Sequence, residues 1–294
     1  MFASTLAEGI GFGLVAAAVI ALGAVGLSLQ LSVTNYINFA FGDLMTLGAY
    51  FVVTLNLSLH MNFYLAGLLG AVALAIVFVL MNIFVLRPFV RSGARVFTLL
   101  VVTIGVSFIV QNLTIMIWGT GAFQYTVNVG DAIHFGPVLL TPGDLVIIGV
   151  AVVLFAGLHV FLQYTKLGKA LRATSNNPDL AMASGINTDL VVNVTWAISG
   201  FFAAVSGVAL ALEENNLRPL QGFNELLVIF AAIILGGIGR QTGALLGALV
   251  IGVATAVVGL YLPSGYDSMI AFGLLIVVLL VRPQGILAGR EVAD

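Results

Sequence analysis

The chain has 294 residues, of which 61% are hydrophobic and only 7% charged, against about 25% charged in an ordinary soluble domain. Its formal net charge is −2 and it contains no cysteine, which speaks against a nucleic-acid partner, a disulfide framework and a cysteine-based metal site. Apolar runs fill it almost from end to end and leave no room for a soluble catalytic or nucleotide-binding domain, so it reads as an all-α, polytopic transmembrane helix bundle.

In chain order the apolar runs fall at about 10–31, 37–57, 64–86, 97–118, 145–162, 190–212, 226–238, 244–262 and 269–281. A helical crossing needs about 20 apolar residues. A membrane barrel would instead show segments of about ten with alternating polarity, and these runs are continuously apolar. They amount to eight or nine membrane segments. The second, interrupted by Gly42 and Asp43, and the seventh, at 226–238, are expected to be broken or re-entrant. The first is expected to be retained as a helix, because MFASTLAEG lacks the basic start and cleavage site of a secretory signal.

Basic residues set the expected orientation, since Lys and Arg in short loops stay on the cytoplasmic side. Arg87, Arg91 and Arg95 mark one inner loop, Lys166, Lys169 and Arg172 the next, then Arg240, then Arg282 and Arg290. Between them lie outer segments with Asp131, His134 and Asp144, with Glu213 and Glu214, and with Asp267. Counting back puts the N-terminus outside and the C-terminus in the cytoplasm. Small-residue stripes such as Gly243 and Gly247, or Ser199, Ala203, Ser206 and Gly207, suit close helix packing within the subunit.

Three constellations stand out. Asp43, in TNYINFAFGDLMTLGAY, is an ionisable residue at membrane depth, where insertion costs roughly 2.5 to 3.5 kcal/mol. Two readings stand side by side. Asp43 is a structural cap at the break that Asn35, Asn38 and Gly42 suggest, or it is a functional group lining a solute path. Thr103, Ser107, Gln111 and Thr114 recur at steps of four, four and three, which puts them on one helix face toward protein or water. The segment KLGKALRATSNNPDLAMASGINTD, 166–189, is longer than a hairpin needs. Pro178 after Asn177 can start a short helix through Ala183, and Gly185 can end it; docking onto a cytoplasmic partner is its favoured role. GGIGRQTGALLG, 236–247, lacks the Lys-Ser or Lys-Thr and the preceding strand of a nucleotide loop, and is read as a tight inner turn.

Taken together, NFAFGDLMTLGAY, ASGIN, LGGIGRQTGALLG and LLIVVLLVRPQGILAGR resemble the membrane subunits of branched-chain amino acid ABC transporters, of the LivH type, over nearly the whole chain. The resemblance implies a multi-pass permease of the bacterial inner membrane, forming one transmembrane domain over 1–294 with a coupling loop at about 164–190. It implies two cytoplasmic ATPase subunits, a second related permease and an extracytoplasmic solute-binding protein as partners, besides membrane lipid. ATP would be used by the partners; the chain would be no enzyme and hold no cofactor or metal. Asn177, Pro178, Asp179, Ala181, Ser184 and Gly185 would couple it to an ATPase. Asn38, Asp43, Thr103 and Gln111 are the candidates for a solute path working by alternating access, and 213–225, with Arg218, for docking the binding protein. Phe41 and Asp43 depart from the histidine and glutamate common in that family. The rival reading is a secondary transporter or channel for a small polar solute such as urea or an amide. An intramembrane aspartyl protease is disfavoured, because Gly42-Asp43 and Tyr266-Asp267 come in the wrong order.

Overall fold

A computed structural model describes residues 2–127, 133–135, 138–261 and 267–281; Asp131, Tyr266, Arg282 and Arg290 lie outside them. Among the described residues, seven helical stretches are long and apolar enough to cross a membrane, and Gln221–Gly236 and Met269–Leu280 are shorter apolar helices. Helix α1 (Phe2–Thr34) is followed by the non-helical residues 35–40 and then by α2 (Phe41–Val53), which ends in a π-helical turn, Thr54–Ser58. The break therefore lies upstream of Gly42 and Asp43, which occupy the first turn of α2, rather than at those two residues.

Helix α3 (Phe63–Met81) starts on an Asn62 side-chain cap to Tyr64 N and runs through a second π turn, Asn82–Leu86, into the short α4 (Arg87–Arg91). Helix α5 (Val96–Trp118) follows. A two-stranded pairing of β1 (Ile133–Phe135) with β2 (Val138–Leu140) lies in the next connection, a feature absent from the sequence reading. Helix α6 (Pro142–Tyr164) opens on a capping box in which Asp144 N donates to Thr141 Oγ1 at 3.2 Å and Thr141 N to Asp144 Oδ2 at 2.8 Å. After it come α7 (Lys166–Asn176), α8 (Pro178–Ala183), α9 (Thr188–Glu213), α10 (Gln221–Gly236), α11 (Gln241–Gly259) and α12 (Asp267–Val281).

Helices α1 and α9 form the centre of the bundle. Helix α11 packs along α1, α3 along α9, and α2 and α10 fit between them. Small residues permit this, as expected for membrane helices that gain little from hydrophobicity between themselves. Ser206 Oγ donates to Val19 O at 2.9 Å, Gly207 abuts the Met45 carbonyl, and Gly243 and Gly247 abut the α10 backbone. Both small-residue stripes thus pack within the subunit.

The two ends of the bundle are pinned differently. Near the basic end, Arg87 and Arg91 both pair with Asp189 at the start of α9, the second at 3.1 Å, and Asn82 Nδ2 donates to Asn193 Oδ1 at 2.9 Å. At the other end the connection after α5 folds onto the C-terminal half of α2 and its π turn. Trp118 Nε1 donates to Thr54 Oγ1 at 2.8 Å, Tyr125 Oη to Ala49 O at 3.1 Å, and Thr126 N to Asn56 Oδ1 at 2.8 Å. Burial raises the Tyr125 pKa, so the phenol stays protonated as the donor.

Candidate functional site

Two short helices begin inside the bundle instead of at its surface. Asp43, in the first turn of α2, receives a hydrogen bond from Ser107 Oγ, and Ser107 is the central residue of the membrane-length α5, so α2 starts near mid-membrane. Helix α10 starts beside it: Gly222 N donates to Thr46 Oγ1 at 2.9 Å, and Thr46 Oγ1 to Gly42 O at 3.2 Å. A helix start leaves N–H groups without intrahelical partners and carries a partial positive charge. Bringing two such starts to one depth makes a polar zone in an otherwise apolar bundle.

Residues 35–40 thread back up to this zone, and side chains satisfy their backbone. Asn35 has φ 56°, a left-handed conformation that asparagine tolerates, and it turns the chain out of α1. Phe39 N donates to Thr103 Oγ1 at 3.3 Å and Ala40 N to Asn38 Oδ1 at 3.1 Å. Asn38 Nδ2 donates to Gln30 Oε1 at 3.5 Å, and Ser199 Oγ donates to the same oxygen at 3.3 Å. This network meets the requirement that irregular backbone at membrane depth be satisfied by protein.

Of the expected path residues, the structure brings Asn38, Asp43 and Thr103 together. All three are buried, Asp43 to 1% exposure. Asn38 and Thr103 hold the re-entrant backbone, whereas Asp43 keeps one oxygen, Oδ1, that accepts no hydrogen bond from any described residue. Gln111 stands one turn beyond Ser107, half-buried, and joins none of these contacts. Sequence reasoning missed Gln30, Thr46 and Gly222, and treated Ser199 only as a packing residue. Gln30 is a buried amide in the first apolar run and was the one available signal; its partners lie 8 and 169 positions away along the chain.

The second site is α8. Asn177 Oδ1 accepts from Leu180 N at 3.0 Å, Pro178 fills the first helical position, and Asp179 lies in the first turn. Ser184 Oγ donates to Leu180 O at 2.8 Å, and Gly185, at φ 82°, supplies the left-handed residue that ends the helix. The helix thus spans the residues expected of it. One expectation is corrected: Ala181 is buried at 4% exposure against the bundle, so it cannot sit on a docking face. Leu180 and Met182, on either side of it, are 64% and 52% exposed.

The chain is thus a helical membrane bundle in which two short helices begin inside it and a capped helix, α8, lies outside. The chain belongs to the family described as the branched-chain amino acid transport system permease component, which matches residues 9–279. It is 33% identical to the high-affinity branched-chain amino acid transport system permease protein LivH of Salmonella typhimurium over 286 residues, covering 92% of each chain. It is 30% identical to the corresponding protein BraD of Pseudomonas aeruginosa, covering 95% of each. A partial match, 30% identical over 165 residues and 54% of this chain, links it to the ribose import permease protein RbsC of Haemophilus influenzae. Among solved structures, PsaBC from Streptococcus pneumoniae shares its fold with TM-score 0.53 at 13% identity, covering 97% of each chain.

Proposed function

We propose that this chain is the membrane-spanning permease subunit of an ATP-driven importer for branched-chain or related amino acids. Solute passes by alternating access at the interface with a second, related permease. Two cytoplasmic ATPase subunits supply the energy, and an extracytoplasmic binding protein delivers the solute to the connection between α9 and α10, which carries the exposed Arg218, whereas 221–225, the first turn of α10, lie too deep to belong to that surface. The chain itself hydrolyses no ATP. Its N-terminus lies outside and its C-terminus in the cytoplasm, forming with residues 1–294 one permease domain.

The observation that carries this reading is α8. A capped helix of six residues holding Leu180 and Met182 out of the bundle has no packing reason to expose them, and on the side bearing Lys166, Lys169 and Arg172 it fits a groove on a cytoplasmic partner. The amino acid cargo rests on the LivH and BraD relatives. Asp43, with its one uncommitted oxygen, is the group through which the path meets a solute ammonium, while Asn38 and Thr103 fix the loop that positions it.

Co-reconstitution tests the proposal: liposomes holding this chain, a partner permease and the ATPases should accumulate leucine only with ATP and the binding protein. The same uncommitted oxygen favours one rival, a carrier driven by an ion gradient. That rival requires uptake to survive ATP depletion and to collapse when the gradient is dissipated.

A further inference from the structure

A cavity of about 410 Å³ opens beside the connector that leads into α8. Helices α6 and α11 both lean on α1, and the space between them is backed by Val25 and Ser32 of α1 and closed at the basic end by α7. Phe155, Leu158 and Leu245 supply apolar lining, His159 follows Leu158 on α6, and Arg172 and Asn176 of α7 stand at the basic rim. Phe155 lies nine residues before the end of α6 at Tyr164, so the apolar lining extends about 13 Å along α6 from that end at 1.5 Å per residue.

The rim is unbalanced in charge. No Asp or Glu lines the cavity, and Arg172 has no acidic partner among the described residues. Its guanidinium donates to Gln163 Oε1 at 2.8 Å, which leaves most of its five N–H donors for another acceptor. A cationic fork beside apolar lining at the basic end of a membrane bundle matches a phospholipid and not a small free anion, which would leave the apolar lining unused.

We infer that this cavity binds one phospholipid with an anionic headgroup, its phosphate on Arg172 and an acyl chain over Phe155, Leu158 and Leu245. Occupancy would bear on transport, because the rim is part of the connector. Ser175 Oγ donates to Ser32 O at 2.7 Å, tying α7 to α1, and α7 passes through the single residue Asn177 into α8.

Native mass spectrometry of the full-length chain tests this with phosphatidylglycerol and phosphatidylcholine of equal acyl length. Phosphatidylglycerol should bind at least about fivefold more tightly. Arg172→Gln should abolish the difference, Arg172→Lys should keep most of it, and Arg95→Gln, an exposed arginine of another loop, should leave it intact. Equal retention of the two lipids, or unchanged preference in Arg172→Gln, would overturn the assignment. So would displacement of the lipid by millimolar inorganic phosphate, which would define a free-anion site, or equal binding of a six-carbon-chain phosphatidylglycerol.

Discussion

Gly42 and Gly222 meet backbone to backbone where the first turns of α2 and α10 cross. A Cβ on Gly42 would lie 2.3 Å from Gly222 O, and one on Gly222 would lie 2.1 Å from Gly42 O. Neither obstacle is a side chain that can swing away, so a methyl group must separate the helices. Gly222→Ala should destabilise the protein by about 1–3 kcal/mol and lower its thermal midpoint in detergent. Gly105→Ala, on a face of α5 with no atom within 4 Å of the new carbon, should not.

The pairing of Asp43 with Ser107 separates structural support from function. Asp43→Asn keeps an acceptor for the Ser107 hydroxyl, so the fold should survive while uptake falls at least about tenfold. Parallel losses of uptake and of thermal stability would mean that Asp43 only caps α2. Ser107→Ala removes the only hydrogen bond to the carboxylate among the described residues and should cost about 1–3 kcal/mol, read in the same melting experiment.

On α8 the exposed and the buried positions should respond differently. Leu180→Glu with Met182→Glu should leave expression and melting near normal while ATP hydrolysis proceeds without uptake. Ala181→Glu places a carboxylate on the packed face and should reduce folded yield instead. Gly185→Ala forces a left-handed alanine, worth about 1–2 kcal/mol, and should weaken coupling by loosening the end of the helix.

Because the chain has no cysteine, orientation can be read with single replacements. Gly93→Cys, in the turn between Arg91 and Arg95, should react with a membrane-impermeant thiol reagent only after the cells are opened. Glu214→Cys should react in intact cells. Labelling of position 93 from outside would reverse the proposed topology.

What the sequence discloses and what it conceals divide along the distance between partners. Asn177, Pro178 and Gly185 act on their own neighbours, so the start and end of α8 are legible in nine consecutive residues. The stripe Thr103, Ser107, Gln111, Thr114 is periodic; Thr103, Ser107 and Thr114 are buried, while Gln111 is half-buried. The meeting of Gln30 with Ser199, or of Gly42 with Gly222, joins segments more than 160 positions apart, and nothing in either segment names the other. The break is legible in Asn35 and Asn38, but not that Gly42 and Asp43 lie beyond it: Asn35, at positive φ, turns the chain and Gly42 serves close packing. Which side of α8 is buried is not legible, because a helix of six residues with apolar residues on both sides carries no periodic signal.

The central claim is that the energy for transport resides in partner polypeptides gripped through α8. Leucine accumulation in liposomes containing the purified chain, with and without its ATPases, partner permease and binding protein, tests it most directly. The account predicts no uphill uptake by the chain alone under any ion gradient, and ATP-dependent accumulation by the assembled set that Leu180→Glu with Met182→Glu abolishes. Uphill uptake by the chain alone would contradict it.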